Sequence, residues 1–285
     1  MFYILRRTGL GLGSTKAIKE LSKEEISIVR NDKLPEYFSE DDVILRWGCT
    51  SVLPTYPQYS YQILNKSNSI SLVNNKSFFR QKLQLQAPQL IPKTWFTYED
   101  PEITYPCILR PQHHAQGKNL FFCENKKDLE FHLSHNPIFP NTCYYISEYI
   151  PKVAEYRVCF IQGLVAWVAK KTPKNPQDIA WNVAKGGKFE NVNWKAWPID
   201  VIETAYQAYI ISGLYLGGVD VMVDKDGRSY VLEINSAPSH TSPYRQSCTT
   251  KCIDYGITHN MFKHYPPDDN FKKYSKWLHP ALKKV

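Results

Sequence analysis

No apolar run in the 285-residue chain approaches the roughly 18 residues that a membrane-spanning helix needs. The opening segment, MFYILRRTGLGLG, is too short and too early charged to read as a secretory signal. Both lacks argue against a membrane protein and lead us to expect a cytoplasmic one. Cysteine pairing is also missing. The seven cysteines (Cys49, Cys107, Cys123, Cys143, Cys159, Cys248, Cys252) are odd in number and stand singly except for the last two. Several fall in apolar runs such as PCILR and TCYYIS, where a thiol packs as a small hydrophobe. Cys248 and Cys252 have no neighbouring Cys or His at zinc-finger spacing. A disulfide scaffold is therefore not expected, and Cys248 and Cys252 read as ordinary thiols. The chain also has no internal repeats.

Glycine is missing where a dinucleotide fold would want it. Gly11-x-Gly13 follows a strand pattern and precedes a helix pattern, but no third glycine falls at Ala17-Ile18. The strand that would carry a ribose-binding acid ends in Arg46-Trp47 instead. The turn reads as a tight strand-to-helix connection, with Ser14 expected to cap the helix STKAIKEL.

What is present is an ordinary globular composition, 43% hydrophobic and 22% charged, with enough apolar material for a sizeable core. Lys and Arg number 35 against 27 Asp and Glu, a net charge of +8 that favours anionic partners. Strand (Phe2–Leu5), helix and strand (Val43–Trp47) predict a small α/β unit over about the first 70 residues. From Asn74 a helix with an Asn cap is expected, with Phe78, Phe79, Leu83 and Leu85 near helical spacing. Strands at Cys107–Arg110 and Asn119–Phe122 flank the polar loop PQHHAQGK. A helix KKDLEFHLSH, a strand TCYYISE and a hairpin joined at Gln162-Gly163 follow. The helix IDVIETAYQAYIISG stops at Gly213, and the last regular element is the hairpin VDVMV/SYVLEIN around Asp226-Gly227.

That hairpin carries the sharpest chemical signal. A two-residue turn at Asp226-Gly227 sets Asp220 directly opposite Glu233. A four-residue turn leaves them diagonal neighbours, and in both registers Asp220, Glu233 and Asn235 share one face with Val231. Adjacent carboxylates repel unless something positive sits between them. Two acids and an amide form an incomplete oxygen cage suited to Mg²⁺, which takes further ligands from water and substrate phosphates. A second cluster is basic: Arg110 ends a strand before His113, His114, Gly117 and Lys118, a loop able to cover polyphosphate, and Lys76 stands at a helix start. A third joins Ser147-Glu148-Tyr149-Ile150 to Glu155 and Arg157, a strand end fit for an adenine edge with a carboxylate for ribose hydroxyls.

In order and spacing these parts resemble the ATP-grasp superfamily over about residues 72–240. The resemblance implies an α/β (α+β) ATP-grasp fold, divided into an N-terminal α/β pre-ATP-grasp domain (1–71), a small subdomain (72–145) and a C-terminal subdomain with a basic tail (146–285). It implies an ATP-dependent carboxylate–amine ligase working through an acyl-phosphate. ATP would be bound by Lys76, Arg110, His114, Gly117, Lys118, the hinge Glu148, Tyr149 and Ile150, and Glu155. Two Mg²⁺ ions, or Mn²⁺, would be held by Asp220, Glu233 and Asn235. EYI followed by EYRV, then Asn182 and Gly186-Gly187, is most similar to the ribosomal-protein glutamate ligase branch, in which Arg157 and Asn182, with Arg110, would face the transferred phosphoryl and acyl groups. Two features depart from the family: Arg110 replaces the second phosphate lysine, and the glycine-rich loop is poor in glycine. The form RPxxHxxGK and the RWG at Arg46 resemble a divergent group often encoded by bacteriophages, which would put the chain in a host cytoplasm. The partners implied are ATP, a carboxylate and an amine such as an amino acid, peptide or protein terminus. The N-terminal unit and residues 240–285 are expected to shape the pockets for the last two. Competing readings are an ATP-grasp kinase, and a non-catalytic nucleotide- or nucleic-acid-binding protein supported by the charge, the 14% aromatics and the basic tail.

Overall fold

The computed structural model of the chain describes residues 1–9, 13–51, 53, 62–112, 119–139, 143–181, 186–263 and 277–282. The apolar run at the start makes β1 (Phe2–Arg6), and α1 (Gly13–Leu21) lays Ile18 against it. With β2 (Ile26–Arg30), β3 (Val43–Arg46) and β4 (Gln62–Leu64) it forms an all-parallel sheet in the order β2-β1-β3-β4. The expected α/β unit is present, with β2 added between the helix and the Val43 strand. Ser14 does not cap α1. It lies inside the helix, and its Oγ accepts from the His240 N–H at 3.0 Å, so the hydroxyl ties the helix start to a distant loop.

α2 (Ser67–Asn74) and α3 (Lys76–Gln86) follow, and the Asn75 side chain caps α3 by accepting from the Phe78 N–H at 3.1 Å. The expected apolar face is only half realised: Phe79 and Leu83 are buried, while Phe78 and Leu85 are 57% and 86% exposed. Arg80 takes an interior position because its guanidinium donates to Thr94 Oγ1 and the Leu232 carbonyl and lies over the Tyr145 ring. A second sheet, antiparallel in the order β5-β8-β6-β7, is built from β5 (Thr94–Trp95), β6 (Cys107–Pro111), β7 (Phe121–Cys123) and β8 (Tyr144–Glu148). The strand expected from Asn119 starts two residues later, after Asn119 itself adopts a left-handed φ of 56°. α4 (Lys126–His135) packs on this sheet, which has its own core of Trp95, Cys107, Leu109, Cys123, Leu129, Phe139 and Ile146.

The third sheet is antiparallel, in the order β11-β10-β9-β12-β13. β9 (Lys152–Ile161) and β10 (Leu164–Thr172) join through Gln162 and Gly163, both left-handed, as a type I′ turn requires. β11 (Lys188–Val192) adds an edge, α5 (Ile199–Ser212) ends at left-handed Gly213, and β12 (Leu216–Asp224) and β13 (Ser229–Asn235) form the hairpin. Regular structure does not end there: α6 (Pro243–Thr258), capped by Ser242, packs on α1. Its buried residues mix Cys248, Cys252 and Ile253 with threonines, Arg245 and Gly256, an apolar stripe too weak to read from sequence. Asp254 fastens it to the N-terminal unit by accepting from Ser22 Oγ at 2.5 Å and the Lys23 N–H at 3.0 Å.

The hairpin turn differs from the two-residue reading. Asp224 N–H donates to the Arg228 carbonyl, and the loop is Lys225-Asp226-Gly227 with Gly227 at φ 81°. That loop pairs Val221 with Val231; a bulge at Leu232 then restores Asp220 opposite Glu233. Val231 therefore joins Val221 in the core, on the face away from the acids.

One continuous core runs from Phe2 and Ile4 of the first sheet through Phe160, Trp167 and Val219 to Cys252 and Ile253 of α6. Asn65, left-handed at φ 58°, links the two sheets that share it. Its amide donates to the Arg46 and Leu216 carbonyls and accepts from the Tyr215 and Leu216 N–H groups. Four otherwise buried backbone groups are satisfied by this one side chain.

Candidate active site

The large sheet turns one face toward the small sheet and α3, enclosing a cavity of about 840 Å³. Strand register lines up the charged groups across that face. Arg157 on β9 is opposite Asp220 on β12, which is opposite Glu233 on β13. One step along, Lys171 on β10 is opposite Glu155 on β9, which faces Met222. Lys76 enters from the first residue of α3, Arg110 from the end of β6, and Glu148, Tyr149 and Ile150 from the end of β8.

The carboxylates meet cations. Asp220, 1% exposed, takes a two-pronged bond from Arg157 (Nε–Oδ1 2.5 Å, Nη2–Oδ2 2.7 Å) and another from Lys171 at 2.8 Å. Lys171 also bonds Glu155, whose other oxygen accepts from Lys152 at 2.5 Å. Glu233 accepts from Lys76 at 2.5 Å and from the Asn235 amide at 3.1 Å. Repulsion between Asp220 and Glu233 is thus answered by side chains. Burial pushes both carboxyls up, but Arg157 and Lys171 at Asp220, and Lys76 at Glu233, outweigh it and hold them below the ordinary range. Burial depresses Lys171, yet Asp220 and Glu155 raise it on balance, so Lys171 keeps its charge opposite the Asp220 carboxylate. Nearby, burial raises the Tyr145 hydroxyl, and Arg110, Arg80 and Lys76 bring it below its ordinary value.

Elsewhere in the cavity wall the hinge backbone is partly spent. Glu148 N–H donates to the Lys93 carbonyl at 2.8 Å and Tyr149 N–H to the Pro106 carbonyl at 3.2 Å. Ile108, Leu120, Ile150, Met222 and Leu232 give the cavity apolar wall. Of the residues expected at the site, Lys76, Arg110, Glu148, Tyr149, Ile150, Glu155, Arg157, Asp220, Glu233 and Asn235 all line this one cavity. His114, Gly117, Lys118 and Asn182 lie outside the described residues. Lys152, Lys171 and Arg80 were not anticipated; Lys171 stands beside exposed Lys170, and only the strand register separates the two.

Among the described residues no group of three His, Cys, Asp or Glu side chains is arranged to hold a metal ion. Asp220, Glu233 and Asn235 are a set of two carboxylates and an amide, hard oxygen donors lining a cavity, and that chemistry fits Mg²⁺. Arg157, Lys171 and Lys76 now bond the same carboxylates, so metal binding would exchange cation for cation.

Two buried histidines bear on stability. Burial pushes His240, held between the Trp47 and Trp167 rings, down to about 3, and His279 down to about 4. Both are neutral when folded, whereas the unfolded chain protonates them near 6.5. Stability is therefore fully present above pH 6.5 and falls as pH drops toward 4, by about 2 kcal/mol per histidine at pH 5. Urea unfolding at pH 8 and pH 5 should show this loss, and His279→Gln should remove about half of it. An unchanged pH dependence in that variant would contradict the assignment.

Among the described residues no helix is long and apolar enough to cross a membrane. No curated protein sequence matches the chain. Solved structures share its fold. The ATP-grasp ligase PsnB with its minimal precursor aligns at TM-score 0.61 and 14% identity, over 87% of this chain and 97% of that one. D-alanine–D-alanine ligase from Bacillus anthracis aligns at 0.62 and 15%, over 92% and 95%. A RimK-domain ATP-grasp protein from Sphaerobacter thermophilus aligns at 0.59 and 16%, over 88% and 98%. The RimK-like ATP-grasp domain matches residues 60–254, which include α3, the small sheet and every charged residue of the row. The chain belongs to the RimK-like ATP-grasp family.

Proposed function

We propose that this chain is an ATP-dependent ligase that joins a carboxylate to an amine through an acyl-phosphate, releasing ADP and phosphate. The observation that carries this reading is the charged row Lys171–Glu155, Arg157–Asp220–Glu233 and Lys76, lining one cavity together with the hinge Glu148–Ile150. Residues 1–71, 72–145 and 146–285 act as the pre-ATP-grasp domain and the two subdomains that enclose the nucleotide. The setting is cytoplasmic, where ATP is available.

Adenine lies against the hinge, and a ribose hydroxyl shares Glu155 with Lys152. Lys76, Arg110 and Lys171 bind the phosphates, with His114, Gly117 and Lys118 covering them. Asp220, Glu233 and Asn235 would hold two Mg²⁺ ions, or Mn²⁺. When bound, the metal neutralises charge on the phosphates. A substrate carboxylate oxygen attacks the γ-phosphorus, and the bond to the β-phosphate oxygen breaks with its electron pair leaving on ADP. Arg157 and Asn182 bind the acyl-phosphate oxygens, and Arg157 is held in place by its two-pronged bond to Asp220. The amine then attacks the acyl carbon, the carbon–oxygen bond breaks, phosphate departs, and the amine's extra proton passes to solvent. No side chain needs to form a covalent intermediate.

Base choice tests the hinge. With the Glu148 and Tyr149 N–H groups engaged, the hinge offers carbonyls and the Glu148 carboxylate to a base edge. These accept from the adenine amine and repel the guanine carbonyl. We expect kcat/KM for ATP to exceed that for GTP by about tenfold or more, as the loss of one polar contact implies. Equal turnover of the two would remove the adenine from this hinge. A stable phosphorylated product in place of a condensation product would turn the reading to a kinase.

A further inference from the structure

We infer that a second cavity binds a carboxylate of the substrate that takes no part in bond formation; this deepens the ligase reading and rests on it. The cavity encloses about 440 Å³ and shares Ser239 and Thr241 with the reaction cavity. Its position follows from topology. In the order β2-β1-β3-β4 the chain runs outward in opposite directions from β1 and β3. Open parallel sheets bind ligands beyond the carboxyl ends of the strands at such a reversal. Arg6 ends β1, Trp47 follows β3, and both line this cavity. The joining loop is brought close by Gly48, left-handed at φ 67°, where a Cβ would stand 2.8 Å from Ala237.

The lining is selective for an anion. Arg6, 8% exposed, is its one charged side chain among the described residues, and no carboxylate faces the space. The Ser14, Ser239 and Thr241 hydroxyls and the Gln246 amide surround it. Behind the wall Arg245, 3% exposed, donates from Nη2 to Thr241 Oγ1 at 3.2 Å. That bond leaves the Thr241 hydroxyl proton for another acceptor. The Arg245 Nε and Nη1 atoms have no hydrogen-bond partner, and burial together with Arg157 lowers the guanidinium's pKa. The Arg245 guanidinium lies over the Trp167 and Phe189 rings and reaches the cavity only through Thr241. An anion held by Arg6 and the Thr241 hydroxyl therefore brings negative charge toward both arginines. A guanidinium fork suits a carboxylate, and the volume suits an amino-acid-sized group.

The anchoring carboxylate belongs to either the acyl donor or the amine partner, and acid–amide pairs distinguish them. With the intact protein saturated by Mg-AMP-PNP, dissociation constants are measured by ligand-observed NMR for glutarate against glutaramate, and for glycine against glycinamide. We expect the acid to bind at least tenfold more tightly in one pair, a preference kept by Arg6→Lys and reduced to within about threefold by Arg6→Gln. Gly13→Glu offers a second variant: its Cβ meets no atom within 4 Å, and its carboxylate at the cavity should abolish the preference without burying anything. No acid preference in the unaltered protein, or one that survives Arg6→Gln and Gly13→Glu, would overturn the inference. Failure of the unaltered protein to bind Mg-AMP-PNP would instead remove the ligase reading beneath it.

Discussion

Asp220→Asn is expected to lower folding stability by about 3–5 kcal/mol, the usual cost of removing one partner from a buried ion pair. The substitution keeps shape and removes the charge that both Arg157 and Lys171 face. Lys171 retains Glu155, but Arg157 loses the carboxylate that takes both prongs of its guanidinium. The same pairing gives a pH signature. Because the folded-state pKa of Asp220 is depressed, its contribution is present above the unfolded carboxylate range and is lost as pH falls. Denaturant unfolding of Asp220→Asn, Arg157→Met and the double variant measures the coupling. Single losses that simply add would show that the pair contributes little beyond its separate groups.

Glu233→Gln should divide differently, with a smaller loss of stability than Asp220→Asn and a loss of turnover of about 10³-fold or more. Glu233 is 29% exposed and Lys76 14%, against 1% for Asp220, so water makes up part of the lost charge. In the proposed reaction the same carboxylate would hold Mg²⁺ that accompanies ATP, and charge stabilisation at a transferring phosphoryl group accounts for several kcal/mol of barrier. Urea unfolding should give a midpoint lowered less than that of Asp220→Asn, while ADP release falls to background. Near-normal activity at saturating Mg²⁺ would remove Glu233 from the metal site.

Much of the site was legible because its chemistry repeats along alternating strands. Asp220, Glu233 and Asn235 declare themselves by residue type on a hairpin, and Glu155 and Arg157 by two-residue spacing. Bulges were not legible. A two-residue turn at Gln162-Gly163 carried without interruption would set exposed Lys170 opposite Glu155; a bulge at Ala166 brings buried Lys171 there. The bulge at Leu232 had a milder consequence. It compensates a three-residue turn, so the facing of Asp220 and Glu233 was anticipated for a different reason from the one that holds. What satisfies the two acids could not be read either, because Lys76 and Lys171 come from elements distant in sequence. In the fold, Asn65 and α6 were missed for a related reason. A polar residue satisfying four backbone groups, and a helix whose interior is half threonine and cysteine, leave no hydrophobic pattern to detect.

Hydroxylamine trapping tests acyl-phosphate formation most directly. The protein is incubated with MgATP, a mixture of the twenty amino acids and short acidic peptides, and hydroxylamine as a substitute amine. ADP, phosphate and hydroxamates are then measured together by mass spectrometry. Formation of a hydroxamate in proportion to ADP, lost in Glu233→Gln, is the result expected of a carboxylate–amine ligase. ADP release with no hydroxamate, or with a phosphate ester that hydroxylamine leaves intact, would contradict it.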